Sequence, residues 1–381
     1  MGGLRYVTAG ESHGPLLVGV LEGLPAGLEL AEKHLQPRLR RRQGGYGRGK
    51  RMSLETDRAQ IVGGVWKGRT TGAPLALLIT NRSNRQGRTQ RRKTTPRPGH
   101  ADLAGVLKYG FDDINPVIER SSARETAMRT ALGAAACHLL EVLGVSITAH
   151  VIALGEVEAP PLPEDWGPER IARARSRSPV GCCHAPTGRR MVECIDQARE
   201  RGESLGGRVE VIAWGLPPGL GAYSQWDRRL DGRLAQGLMA IQSVKGVEIG
   251  QAREASRAFG RQAQDVIVRR GEGLGRVTNR AGGLEGGVSN GEPVVVRLTL
   301  KPIPTQRRAL STVDLDSGKV VEGRYVRSDV AVLPAAGVVA EAVMGLVLAD
   351  ALLEKFGGEC MDDLQAALAA YRRRLPRWKD R

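Results

Sequence analysis

The clearest periodicity in the chain runs from Arg124 to Leu143. There RETAMRTALGAAACHLLEVL places apolar residues at 128, 132, 135, 136, 139 and 143, the spacing of one helix face. Ala and Gly on the same stretch let neighbouring elements pack closely. Similar spacing predicts helices over 227–244 and 335–355, the second ended by Gly357 and Gly358, and an amphipathic tail helix over 361–374. Short apolar runs predict strands at 4–8, 16–22, 207–215 (GRVEVIAWG) and 292–300 (EPVVVRLTL). The segment 156–206 is more polar and Pro-rich at its start, and reads as an excursion from the core. Helices and strands mix without strict alternation, and no fixed-period repeat or long linker divides the chain. A single large domain of the α+β or layered α/β class is expected. The run 332–353 is long enough to span a bilayer, but Glu341 and Asp350 interrupt it. It reads as a buried Ala-rich helix, and no membrane partner is expected.

Composition adds a partner of a particular sign. Of the 57 basic residues 47 are Arg, and the net charge is +16. Residues 31–100 hold 18 Lys and Arg against 3 Asp and Glu, so nearly all the surplus sits in one segment. A localised excess points to a site for an acidic partner. Its densest part, RRRQGGYGRGKR (40–51), reads as a basic loop in which four glycines allow tight turns around an anion. A nucleic acid backbone and a small polyanion both fit. Cysteines 137, 182, 183, 194 and 360 are odd in number and without a regular framework, which suggests reduced thiols and a cytoplasmic setting. GCCHAP (181–186) lacks the CxxC spacing, so no metal site is expected. The N-terminus shows no signal-peptide pattern. No GxGxxG lies between a strand and a helix, and GRGKRM lacks the Walker spacing.

Beside the basic loop, three motifs carry candidate chemistry. In AGESHG (9–14), His13 sits among small residues, and surrounding anions would favour its protonated, acid form. PRPGHADL (96–103) is a stiff turn with Arg97 and His100, where the His could equally cap a helix beginning near Ala101. In ERSSARETAMR (119–129), Ser122 and Glu125 fit a capping box. The cap leaves Arg120 and Arg124 unexplained, because they oppose the helix dipole unless an anion binds there. QSVKGVEIG (242–250), GGLEGGVSNGEP (282–293), KPIPT (301–305) and VRSD (326–329) read singly as turns.

Taken in order, AGESHG, RRRQGGYGRGKRM, TTGAPL, RPGHAD, RSSARET, SVKGVEIG, GGLEGGVSNG and KPIPT resemble the chorismate synthase family over roughly residues 5–350. The resemblance implies a β-α-β sandwich, usually assembled as a homotetramer. It implies 1,4-anti-elimination of phosphate from 5-enolpyruvylshikimate 3-phosphate to give chorismate, the last step of the shikimate pathway. Reduced FMN is required, although the reaction has no net redox change. NADPH stands as a candidate reductant, and the missing dinucleotide fingerprint favours an external source. His13 would protonate the departing phosphate. His100 would stabilise the anionic reduced flavin, and Asp329 would assist deprotonation at flavin N5. Arg42, Arg48, Arg97 and Arg124 would contact substrate anions. Arg120, Ser121, Ser122, Gln242, Ser243, Gly286, Lys301, Pro302, Ile303, Pro304, Thr305 and Arg327 would line the FMN site. Many relatives carry a Cys where this chain has Ala331, and some carry Asn–Ala where it has Gln242–Ser243, which suggests backbone contacts there. Two rivals predict other behaviour. An RNA-binding protein would use the Arg/Gly-rich loop and need neither histidine. A flavin oxidoreductase would oxidise its acidic substrate.

Overall fold

The structure, a computed structural model, describes residues 3–49, 55–84, 91–323 and 329–376. Two antiparallel sheets enclose the long helices. The first sheet contains β1 (Arg5–Ala9), β2 (Leu16–Glu22), β3 (Ala59–Gly63) and β4 (Leu75–Thr80), in the order β1-β2-β4-β3. The second contains β5 (Ser146–Leu154), β6 (Val157–Glu158), β7 (Gly207–Trp214), β8 (Val244–Ile249) and β9 (Val294–Leu300), in the order β8-β9-β7-β5-β6. The helices used below are α1 (Glu32–Gln43), α2 (Asp102–Tyr109), α3 (Asn115–Ser121), α4 (Thr126–Val142), α5 (Pro168–Ser176), α6 (Ala185–Arg201), α7 (Leu230–Met239), α8 (Leu333–Phe356) and α9 (Met361–Arg374).

Alternation along β2 and β4 turns Leu17, Leu21, Leu75, Leu77 and Ile79 inward, all buried, as period-two patterning requires. They cover α4, and Gly19 leaves room for Met128. On the other side α8 lies against the second sheet, with Gly337 beside Ala149 and Val209. The two helices meet at small residues. A Cβ on Gly133 would stand 2.4 Å from the Ala342 carbonyl oxygen, so the small side chains of α4 permit the close crossing. The result is the expected α+β sandwich, sheet–helices–sheet.

Two sequence expectations change. The helix expected over 227–244 ends at Met239, because the chain turns through Ser243 at φ +71° and enters β8 to pair with β9. Strand pairing overrides the local helical spacing. Within 156–206, Val180, Met191 and Ile195 join the main core.

Among the described residues one helix is long and apolar enough to cross a membrane, and it is the core helix α8. The Glu341 that interrupts it is fully buried. It accepts two hydrogen bonds from Arg41, at 2.9 and 2.7 Å, one from the Ala149 amide at 2.8 Å, and one from Arg175. Burial pushes this carboxyl up, but Arg41, Arg175 and Arg38 outweigh it and hold it at about 2. A depressed folded-state value stabilises the fold above the unfolded value near 4.5, and that share is lost as pH falls toward 2. Glu341→Gln is therefore expected to flatten the decline of stability between about pH 4.5 and 2, read by urea denaturation at stepped pH. A slope equal to that of the parent chain would contradict this.

Candidate active site

The basic segment is not the free loop its composition suggests. Residues 40–43 close α1, where Arg42 is buried, Arg41 and Gln43 are half-buried and Arg40 is exposed. Arg41 goes to Glu341 and Tyr46 to Asp196. Arg42, only 4% exposed, donates from Nε and Nη2 to Thr126 Oγ1 at 3.0 and 2.9 Å. Its Nη2 also reaches the Ala123 carbonyl, and its Nη1 reaches Asp57 Oδ2 at 3.2 Å. Expected to touch a ligand, Arg42 spends all three nitrogens on protein oxygens. Asp57 is shared with Arg124, which also donates to Asn81 Oδ1 at 2.9 Å. Burial, partly offset by Asp57, together with the charges of Arg48 and Arg124, pushes the Arg42 guanidinium down to about 10. It stays a cation at neutral pH. Arg124 Nη2 is buried, 3.6 Å from Glu55, with no hydrogen-bond partner among the described residues.

The expected capping box does not form. Ser122 Oγ accepts weakly from the Arg124 amide at 3.3 Å at the start of a 3-10 turn. Glu125 instead binds Thr8 Oγ1 and Arg129, because tertiary partners outcompete the local one.

His13 lies in the loop between β1 and β2. Asn81 Nδ2 clamps this loop by donating to the carbonyls of Glu11 and Gly14 at 3.1 and 2.9 Å. Glu119, on α3, holds the His13 ring Nδ1 at 2.9 Å and its main-chain amide at 2.7 Å. Arg97 and His100 converge on Asp102 at the start of α2, with Arg97 Nε–Oδ2 at 2.7 Å and His100 Nδ1–Oδ1 at 2.6 Å. Burial pushes the Asp102 carboxyl up, but the hydrogen bonds from Arg97 and His100 hold it well below the usual carboxylate range. His100 thus pairs with Asp102 and does not cap the helix.

The remaining segments close a circuit. Gln242 Nε2 reaches Glu125 at 3.4 Å, and the Ser243 carbonyl accepts from the Lys301 amide at 2.9 Å. Lys301 Nζ donates to the Gly99 carbonyl at 2.6 Å, and Pro304 packs on Gly99. Ile303 accepts from Ser204, whose neighbour Leu205 donates to the Val330 carbonyl. Asp329 pairs with Arg48 at 3.0 Å and accepts from the Gly49 amide at 2.6 Å. Both members of that pair act electrostatically on Arg42, which returns the path to Asp57 and Arg124. Arg120 reaches the same wall by donating to the Gly10 and Thr8 carbonyls, and Ser121 turns back to the Val117 carbonyl.

Gly286 stands apart. It lies in the hairpin 284–289, where the Gly287 carbonyl receives the first amide of α7. Gln242 follows the other end of that helix, roughly 15 Å away along the axis. Arg327 lies outside the described residues. Two open cavities, of about 760 and 810 Å³, lie on the outer face of the second sheet and beside α9. Neither is lined by His13, Arg48, Arg97, His100, Arg124 or Asp329. No metal-ligating group of three appears among the described residues.

Sequence reasoning missed the carboxylates and the amide that hold the named residues: Asp57, Glu55, Asn81, Glu119 and Asp102. A signal existed for two of them. Glu55 and Asp57 are two of the three acidic residues in the basic stretch 31–100, and a rare countercharge there has many guanidiniums to pair with.

Fold and circuit together describe an α+β protein in which buried guanidiniums and two histidines, each held by a carboxylate, belong to one linked set of contacts. Residues 4–353 match the family model described as chorismate synthase. A chorismate synthase of Desulforudis audaxviator is 53% identical, covering 98% of each chain. One of Moorella thermoacetica is 50% identical, covering 98% of this chain and 99% of its own. A crystal structure of chorismate synthase superposes with a TM-score of 0.81 at 40% identity over 97% of both chains. The chain belongs to the chorismate synthase family. It is a lyase, of the family whose reaction completes the shikimate pathway.

Proposed function

We propose that the circuit binds 5-enolpyruvylshikimate 3-phosphate beside reduced FMN. The chain then removes phosphate and the C6 proton by 1,4-anti-elimination, giving chorismate without net redox change. The observation that carries this reading is that hydrogen bonds and ion pairs link the segments bearing His13, Arg48, Arg124, Arg97, His100 and Asp329. Two carboxylates, two phosphates and the ionisable N1 of the reduced flavin ring bring roughly −5 to −7 of ligand charge, which a water-poor site must meet with arginines. The buried Arg124 Nη2, Arg48 Nε and Gln242 Oε1, without hydrogen-bond partners among the described residues, fit two anions and a polar ring edge. Intramolecular pairing of Arg41, Arg42 and Arg48 argues against a solvated nucleic-acid surface.

Arg120, Ser121, Ser122, Gln242, Ser243 and Lys301 to Thr305 would hold FMN, joined by Arg327 and by Gly286. Bound reduced FMN supplies electron density that helps phosphate leave a substrate whose C6–H is weakly acidic. His13 delivers a proton to the departing phosphate oxygen. His100, oriented by Asp102, would steady negative charge on the cofactor ring. Asp329, paired with Arg48, would assist deprotonation at flavin N5. Arg97 and Arg124 orient the substrate anions, and Arg42 contributes charge through Asp57. The same reading places the chain in the cytoplasm as a homotetramer, with NADPH or an external donor reducing the flavin.

An anaerobic phosphate-release assay with the enolpyruvyl substrate tests it. Release matched by chorismate, and only with reduced FMN present, is expected. Flavin-independent release, or net oxidation of the product, would overturn it.

A further inference from the structure

His13 and His100 each face a carboxylate, but the two arrangements differ. Asp102 is shared between His100 and the Arg97 guanidinium, whereas Glu119 meets the ring and the amide of His13 and, among the described residues, no guanidinium. The His13 and Glu119 side chains are only 16% and 11% exposed. Burial pushes the Glu119 carboxyl up, and its hydrogen bonds from the His13 ring and amide more than offset this, holding it below its usual value. An ionised carboxylate can only accept. The ring nitrogen facing it at 2.9 Å must therefore donate, so the neutral imidazole keeps its proton on Nδ1. Nε2 is then the nitrogen that gains and gives up the second proton.

We propose that Glu119 is the positioning residue for His13: its carboxylate fixes the imidazole as the Nδ1–H form and leaves Nε2 as the proton-delivering atom. This rests on the reading of His13 as the acid. In the step, the Nε2–H bond of the imidazolium breaks, an O–H bond forms on the departing phosphate, and solvent later reprotonates Nε2. Glu119 stays ionised throughout. The other charged groups near the loop are Glu11, whose carboxylate lies beside Gly14, Arg120 on the Gly10 carbonyl, and Lys93, which acts on Glu119.

Histidine-selective ¹⁵N correlation spectra of the full chain read the tautomer directly. The wild-type protein is expected to show His13 protonated on Nδ1, and the Nε2–H form in the wild type would overturn the proposal before any variant is made. In Glu119→Gln the side-chain amide can donate as well as accept. The Nε2–H form should rise, and kcat should fall about 10- to 100-fold with KM little changed. Glu119→Asp keeps the charge and should restore the Nδ1–H form. An unshifted tautomer in Glu119→Gln would overturn the proposal. A shifted tautomer with unchanged kcat would uphold the contact and overturn the reading of His13 as the acid.

Discussion

His13→Ala is expected to lower kcat by about 10²- to 10⁴-fold, the usual loss when a positioned acid is removed, with little change in melting temperature. The loop that carries His13 does not depend on the imidazole. Its main-chain amide still donates to Glu119, and Asn81 still holds the carbonyls of Glu11 and Gly14. Asp329→Ala should cost about a hundredfold or more for the same reason, although losing the Arg48 pair adds a small stability effect. Phosphate-release kinetics beside a thermal melt separate the two contributions. Near-native rates in both variants, with the fold intact, would remove the assigned roles.

Asp57→Asn is the largest stability effect expected. Among the described residues, Asp57 is the one carboxylate that binds both Arg42 and Arg124, whose side chains are each 5% exposed. The amide keeps the shape and removes the charge, leaving two buried cations facing each other. Breaking a buried pair in this way costs about 3–5 kcal/mol. A ligand anion can supply part of the missing charge. Substrate at about 100 times its Kd should return up to about 2.7 kcal/mol. Urea unfolding with and without substrate measures both quantities. A loss below about 1 kcal/mol would mean that the guanidiniums are solvated.

What could be read from the sequence divides along physical lines. The tail helix 361–374 and the strand 16–22 stand as expected, because their burial follows one local period. The segment 227–244 departed from its local pattern because pairing of β8 with β9, distant in sequence, decided it. Ser122 and Glu125 satisfied a local capping rule, yet Glu125 is claimed by Thr8 and Arg129. The histidines and arginines were legible through motif order. Their counterions were less so, since nothing local says that Asp57 lies against Arg124 or Glu119 against His13. The basic loop was misjudged for the same reason: composition records its charge but not the buried carboxylates, such as Glu341, that α1 meets when it packs.

The central claim is that segments far apart in the chain build one polyanion site. The most direct measurement is a crystal structure of the chain with the enolpyruvyl substrate and FMN. Substrate density bounded by His13, Arg48, Arg97 and Arg124, with the phosphate nearest His13, is the predicted result. Ordered substrate bound at either open cavity instead, with the circuit empty, would contradict it.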